Sequence, residues 1–123
     1  MTKYGFKPYN PIFSELFEKE KQRLSKFITG QYLIEHVGST AVPGLGGKGI
    51  IDIYIVADKK DLDRISKDVL KSGYEWRPRV SQDKHIFYKI DLPDFIETTR
   101  RYHVHLNFPE AQDFIETIKF RNY

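Results

Sequence analysis

The sequence predicts a single domain of the α/β class, more closely the α+β type, in which helices flank a mixed β-sheet. Segments with apolar residues at helical or alternating spacing follow one another in the order helix, strand, strand, helix, three strands, helix. Such a set buries its apolar faces when the helices cover the sheet. The length of 123 residues fits one domain over residues 1–123, and a core of that size needs no disulfide or structural metal.

Composition excludes several classes of protein. Hydrophobic residues make up 40% and charged residues 30% of the chain, as in ordinary globular proteins. No apolar run approaches the roughly 18 to 20 residues that a membrane-spanning helix needs. Residues 1–9 lack the apolar core of a signal peptide, so we expect a cytoplasmic protein. The absence of cysteine excludes disulfides and thiolate metal sites, which favours a hard metal ion.

The formal net charge of +3 comes from basic residues that are spread along the chain. An extended nucleic-acid surface would need a concentrated basic stripe, so we do not expect one. The charge instead favours a local anion site, such as a site for nucleotide phosphates or another phosphorylated small molecule. Nothing in the sequence indicates an oligomeric state.

The first three elements are predicted from two kinds of pattern, helical spacing of apolar residues and short β-branched runs. Apolar residues recur at three- and four-residue spacing over Ile12–Ile28, which predicts a helix with Pro11 in its first turn and Gly30 just beyond its end. Two short runs rich in β-branched residues, Gln31–Val37 and Gly49–Val56, predict buried strands on either side of a glycine-rich loop.

The second helix is predicted from Asp58 or Asp61 to about Lys71, because either aspartate can cap it and Gly73 can terminate it. Alternation of apolar and polar residues then predicts three half-exposed strands, over Tyr74–Arg77, Lys84–Ile90 and Tyr102–Phe108.

Acidic residues and a proline predict that residues 91–101, between the last two strands, form a loop. A final helix is predicted from Pro109 or Glu110 to about Phe120. Its expected inner face consists of Phe114, Ile115 and Ile118.

The stretch from His36 to Ile53 carries the most unusual chemistry of the chain. A Gly-Ser step that leaves a strand lets backbone N–H groups and a hydroxyl point at one anion, so Gly38, Ser39 and Thr40 are candidate phosphate ligands. The glycine-rich loop that follows carries Lys48 toward the same anion, although a solvated loop lysine is an equally good interpretation.

Asp52 is the strongest candidate metal ligand. It stands between isoleucines on a predicted buried strand. Burying a carboxylate there costs free energy unless a cation or a hydrogen-bond donor pairs with it. Mg²⁺ typically takes one or two carboxylates and completes its shell with water and phosphate. His36 is the second candidate ligand, on the hypothesis that it faces the same cleft. The alternative for Asp52 is a salt bridge with a lysine or arginine.

The segment His36–Ile53, HVGSTAVPGLGGKGIIDI, resembles the GrpB family, within the nucleotidyltransferase superfamily of the polymerase-β type. The resemblance extends to Tyr9–Leu24, which looks like the family's opening helix, to YHVHL at Tyr102–Leu106, and to the closing FRNY. It therefore covers nearly the whole chain. It implies a nucleotidyltransferase-like mixed sheet with flanking helices.

The resemblance also implies an activity. A nucleotidyltransferase would bind an NTP through Gly38 and Ser39 and hold Mg²⁺ with carboxylates, two of them spaced D-x-D. Here Tyr54 stands at the second of these positions, on the same strand face as Asp52. The strand that would supply a third carboxylate offers His103, His105 and Asn107 instead, all on one face by alternation.

His103 and His105 join Asp52 as candidate catalytic residues, with His105 as a candidate base because histidine is the side-chain type that titrates near neutral pH. The alternative is that both histidines only pack against neighbours. Arg100, just before their strand, is a candidate phosphate clamp, against the alternative of a solvated arginine. Two other functions remain open: a non-catalytic nucleotide-binding or regulatory module, linked by resemblance to coenzyme A metabolism, and a protein interaction module.

Overall fold

The computed structural model describes residues 11–42, 49–77 and 86–122. The predicted order of helices and strands is confirmed. The elements are α1 (Ile12–Ser25), β1 (Leu33–Val37), β2 (Ile51–Val56), α2 (Leu62–Lys71), β3 (Glu75–Arg77), β4 (Ile86–Pro93), β5 (Thr99–Asn107) and α3 (Gln112–Asn122). Among the helices in these ranges, none is long and apolar enough to cross a membrane.

The five strands form one mixed sheet in the order β1-β2-β5-β4-β3. Strands β2 and β5 run parallel, and the other three neighbouring pairs are antiparallel. The parallel pair sets Asp52 beside His103 and Tyr54 beside His105. The strand with the lone acid and the strand with the two histidines are therefore direct neighbours.

The two faces of the sheet are covered differently. One face carries the main core, where isoleucines of β2 and apolar residues of β5 pack against α1 and α2. The opposite face, which we call the site face, carries Asp52, Tyr54, His103 and His105. A small apolar cluster lies there, in which Phe114 and Ile118 of α3 pack on Val37, Tyr54 and Val56. The polar part of the site face thus lies beside α3.

Two helices differ from the sequence-based prediction at one of their ends. Helix α1 ends at Ser25 rather than Ile28, because the N–H groups of Lys26 and Phe27 turn back to carbonyls three residues earlier. The final helix begins at Gln112 and does not use Ile115 on its inner face, since that side chain is 39% exposed.

The predicted loop over residues 91–101 is also wrong for most of its length. Strand β4 continues to Pro93 and β5 begins at Thr99, where these two residues pair, so only residues 94–98 form the turn. A proline is tolerated there because the end of a strand can do without its N–H. The longer hairpin places Arg100 inside a strand rather than in a loop.

Candidate functional site

Asp52 and two histidines form the centre of the site face. The Oδ1 atom of Asp52 lies 3.3 Å from Nδ1 of His103 and 3.7 Å from Nε2 of His105. All three side chains are partly accessible, with exposed fractions of 24%, 22% and 15%. The structure therefore brings together the three residues that the sequence offers as catalytic, at a position that a ligand can reach.

These two histidines stabilise the negative charge of Asp52. Burial alone would raise the pKa of Asp52, but the hydrogen bonds from His103 and His105 outweigh it and hold that pKa below its usual value. The carboxylate is therefore ionised at neutral pH. Within residues 11–42, 49–77 and 86–122, the ion-pair contacts of this carboxylate are with imidazoles rather than with the lysine or arginine of the alternative interpretation.

Gly38 lies directly against this carboxylate. Its φ of 74° and ψ of −173° fall in a region that is essentially restricted to glycine. A Cβ atom at this position would overlap Oδ2 of Asp52 and would lie 3.0 Å from its Cβ. The chain then enters a single 3₁₀ turn, Ser39–Ala41. Gly38 and Asp52, which lie 14 positions apart in the sequence, thus meet at one point.

Thr40 and His36 support this turn. The Thr40 hydroxyl donates to the Ile50 carbonyl at 3.1 Å and contacts Nε2 of His36 at 2.9 Å. A hydroxyl has one proton, so His36 must donate to Thr40 through a protonated Nε2. The buried Thr40 hydroxyl therefore joins the turn to the start of β2, and the structure does not present it to a phosphate as predicted.

His36 lies apart from Asp52, contrary to the hypothesis that the two share a cleft. In the sheet register His36 pairs with Ile53, so its side chain emerges on the core face. Its ring stacks on Phe17 of α1 with centroids 4.8 Å apart. The predicted metal role of His36 has no support in this geometry, because Asp52 emerges on the site face.

The environment of His36 predicts an acid-sensitive fold. Burial, with a smaller contribution from Arg121, lowers the pKa of His36 from 6.5 to about 4, although Asp52 opposes the shift. The neutral ring stabilises the fold above pH 6.5, and this contribution is lost as pH falls toward 4 because the unfolded chain binds the proton more readily. Denaturant unfolding at pH 7.5 and 4.5 should show the wild type losing about 1–3 kcal/mol more than His36→Gln. Equal losses would contradict this assignment.

Arg100 is removed from the candidate phosphate ligands by its position. It lies on the core face of β5, where its guanidinium binds both carboxylate oxygens of Asp94 at 2.8 and 3.0 Å. Its third contact is the Gly49 carbonyl at 2.7 Å. The hydrogen bonds from Arg100 lower the pKa of Asp94 to about 2, against the effect of burial. Arg100 is a structural ion-pair residue, while Lys48 lies outside the described residues.

Sequence reasoning missed three residues of the site face: Phe87, Lys89 and Asp113. In the register of the sheet, Phe87 and Lys89 of β4 stand beside His105 and His103. The Phe87 ring contacts both imidazoles, with centroids 4.9 and 5.1 Å apart. Asp113 of α3 accepts a hydrogen bond from the Tyr54 hydroxyl, and Asn107 donates a hydrogen bond to that same hydroxyl. Alternation places Phe87, Lys89 and Asn107 on strand faces, but only the pairing register shows which faces coincide.

The donor set at the centre limits what metal it can hold. In the described ranges, no group of three or more histidine, cysteine or acidic side chains is arranged to hold an ion. The centre offers one carboxylate and two imidazoles, whereas Mg²⁺ prefers oxygen ligands. These residues fit an ion that brings its own phosphate oxygens and waters.

Comparisons with known proteins agree with this architecture. The family model described as GrpB protein matches residues 5–123. The glutamate-rich protein GrpB of Alkalihalophilus pseudofirmus is 35% identical over 115 residues, which cover 90% of this chain and 65% of that protein. A UPF0157 protein of Halalkalibacterium halodurans is 42% identical over 73 residues, covering 58% of this chain. The chain spans 37% of the length of the latter relative.

Solved structures show the same fold. The crystal structure of the conserved protein GrpB from Enterococcus faecalis superposes with a TM-score of 0.76 and 28% identity, covering 96% of this chain and 70% of that one. Cid1 poly(U) polymerase with MgGTP bound gives a TM-score of 0.64 at 10% identity, covering 94% of this chain and 38% of the polymerase. The chain therefore belongs to the GrpB family, and its fold is that of the nucleotidyltransferases.

Proposed function

We propose that this chain binds a nucleoside triphosphate together with Mg²⁺ on the site face and transfers its nucleotidyl group to an acceptor, in the cytoplasm. The observation that carries the proposal is the contact between Gly38 and Asp52. It joins a turn suited to phosphate and an acid suited to Mg²⁺ at one accessible point. The structures of Cid1 poly(U) polymerase with MgATP and MgGTP support the choice of ligand, because their fold is the same.

On the phosphate side, the proposed donors are the backbone of Gly38 and the backbone and hydroxyl of Ser39. Both residues are partly exposed, and glycine permits the close approach that an anion needs. Lys89, beside His103 on the site face, is the proposed cation in place of Arg100. Lys48 stays a second candidate on the strength of its sequence position alone.

On the metal side, Asp52 is the proposed protein ligand. A single carboxylate fits Mg²⁺ that arrives bound to the triphosphate, because the phosphates and waters then fill the other positions of its shell. When bound, the ion would neutralise charge that develops on the phosphate oxygens. His103 has the complementary task of holding the Asp52 carboxylate in place through the contact at 3.3 Å.

In the proposed reaction, an acceptor hydroxyl forms a bond to the α-phosphorus and the bond from that phosphorus to pyrophosphate breaks. His105 is the proposed base that takes the hydroxyl proton. Its ring is 15% exposed and lies next to the Asp52 carboxylate, which would stabilise the resulting imidazolium.

A second candidate is a module that binds the nucleotide without turning it over. The observation that favours it is Tyr54 at the position where a second carboxylate would complete a two-ion site. Tyr54 is fully buried and its hydroxyl is bonded to Asp113, so it contributes no ligand there. Loss of one metal position would impair the transfer reaction more than it impairs nucleotide binding, because the phosphate contacts are retained.

Asp52→Ala should weaken Mg²⁺-dependent nucleotide binding by about tenfold or more, since a charge-assisted contact contributes roughly 1.5–3 kcal/mol. Calorimetric titration with ATP, GTP, CTP and UTP, with and without Mg²⁺, measures this. Asp63→Ala is the matched control, because it removes the same charge from an exposed position on α2. No binding of any nucleotide to the wild type sinks the proposal. Pyrophosphate release with candidate acceptors then separates the enzyme from the binding module.

A further inference from the structure

Tyr54 is fully enclosed on the site face. Its side chain is 0% exposed. Its ring stacks on His105 with centroids 5.2 Å apart and planes at 19°, while Phe114 of α3 meets it edge-on at 5.0 Å. Tyr54 therefore lies between α3 and the imidazole of His105 and contacts both.

The hydroxyl of Tyr54 is held from two sides. It donates its one proton to Oδ2 of Asp113 at 2.6 Å. It accepts from Nδ2 of the buried Asn107 at 3.3 Å, and the carbonyl oxygen of that amide is itself fixed by the N–H of Phe108. These two hydrogen bonds of the hydroxyl fix the orientation of the Tyr54 ring.

His105 sits in a row of three rings across the sheet. The register sets Phe87, His105 and Tyr54 side by side on neighbouring strands β4, β5 and β2. With aromatic neighbours on both sides, at 5.1 and 5.2 Å, the imidazole has little freedom to change rotamer. That orientation directs Nε2 toward Asp52.

We propose that Tyr54 is a positioning residue for His105, and that α3 sets the orientation of that imidazole through Asp113 without touching the ligand. The residue at the position of a second carboxylate thus has a task of its own. The importance of this positioning for ligand binding rests on the proposed function, but the positioning itself does not.

The far end of α3 is also attached to the site. Arg121 donates to Glu35 at 2.6 Å and to the His36 carbonyl at 3.2 Å, two residues before Gly38. The helix therefore contacts the histidine side of the site at its first turn and the strand leading to the Gly-Ser turn at its last turn. Movement of α3 would reach both.

The test measures the χ1 rotamers of His105 by three-bond NMR couplings in the protein without ligand. The wild type should populate one rotamer. Tyr54→Leu removes the ring and should let the staggered rotamers share the population. Tyr54→Phe keeps the ring and should restore most of the order, while Asp113→Ala should give partial averaging. Nucleotide affinity of Tyr54→Leu should fall about threefold to tenfold, corresponding to less than about 1.4 kcal/mol.

Val56→Ala is the matched control. Val56 is buried in the same cluster under α3 and pairs with Asn107 rather than His105 in the sheet register, so the substitution opens a cavity without removing the cross-strand partner of His105. A single rotamer in every variant overturns the proposal, and so does equal averaging in Val56→Ala, which would indicate general loosening. If Tyr54→Leu does not fold, Tyr54→Phe and Asp113→Ala decide between the same outcomes. A wild type that binds no nucleotide defeats the proposed function and leaves the rotamer result standing.

Discussion

Replacing Arg100 with alanine should lower the free energy of unfolding by about 3–5 kcal/mol, the largest loss we expect from one substitution. The side chains of Arg100 and Asp94 are 5% and 1% exposed, so the variant leaves a carboxylate buried without its counter-charge. It also removes the donor to the Gly49 carbonyl at the approach to β2. Denaturant unfolding followed by circular dichroism measures the loss.

Arg101→Ala is the matched control for this prediction. Arg101 pairs with Asp91 through a similar contact of 2.7 Å, but these side chains are 39% and 48% exposed. Exposed pairs contribute at most about 1 kcal/mol, so this variant should be nearly neutral. Two equal, small losses would contradict the structural role of Arg100. Replacing both Arg100 and Asp94 with apolar residues should recover much of the stability, because no unpaired charge remains.

Gly38→Ala should abolish ligand binding on the site face and cost at least about 1–3 kcal/mol of stability. The backbone cost arises because φ is 74° with ψ at −173°. The functional cost arises because the new methyl group would displace the Asp52 carboxylate, and with it the contacts to His103 and His105. Unfolding experiments and nucleotide titration of the same sample measure the two effects.

Gly73→Ala separates these effects. Gly73 also has a positive φ, of 108°, but the nearest atom to an added Cβ is Cδ1 of Ile90 at 3.2 Å, far from any proposed ligand contact. This control should lose stability and keep its nucleotide affinity. Unchanged nucleotide affinity in Gly38→Ala would show that the Gly-Ser turn and Asp52 do not act together.

Local patterns were sufficient to predict most of the fold. Helical spacing, runs of β-branched residues and alternation identified the helices and strands that the structure describes, and the isoleucines around Asp52 identified β2 as a buried strand. Alternation also predicted that His103 and His105 emerge on the same side, as they do. These inferences succeed because each depends on a periodicity that one strand or helix imposes on its own residues.

The errors concern contacts between strands, which depend on register. His36 belongs to the same sequence motif as Asp52, but antiparallel pairing sets His36 opposite Ile53, one residue out of step with the acid. A shift of one position reverses the face of every side chain in a strand. Arg100 was misassigned because its partner, Asp94, lies in a turn whose length could not be read from a proline and several acids.

Successive side chains of β2 and β5 point to opposite faces of the sheet, so different residues of the same strands form the main core and the site. Residues 51, 53 and 55, with 102, 104 and 106, pack in the main core. Their intervening neighbours 52, 54, 103 and 105 form the site. A substitution in the second set changes the chemistry offered to a ligand while leaving the main core packed. New ligand preferences could therefore be selected on this scaffold, by natural or laboratory evolution, without a compensating change in that core.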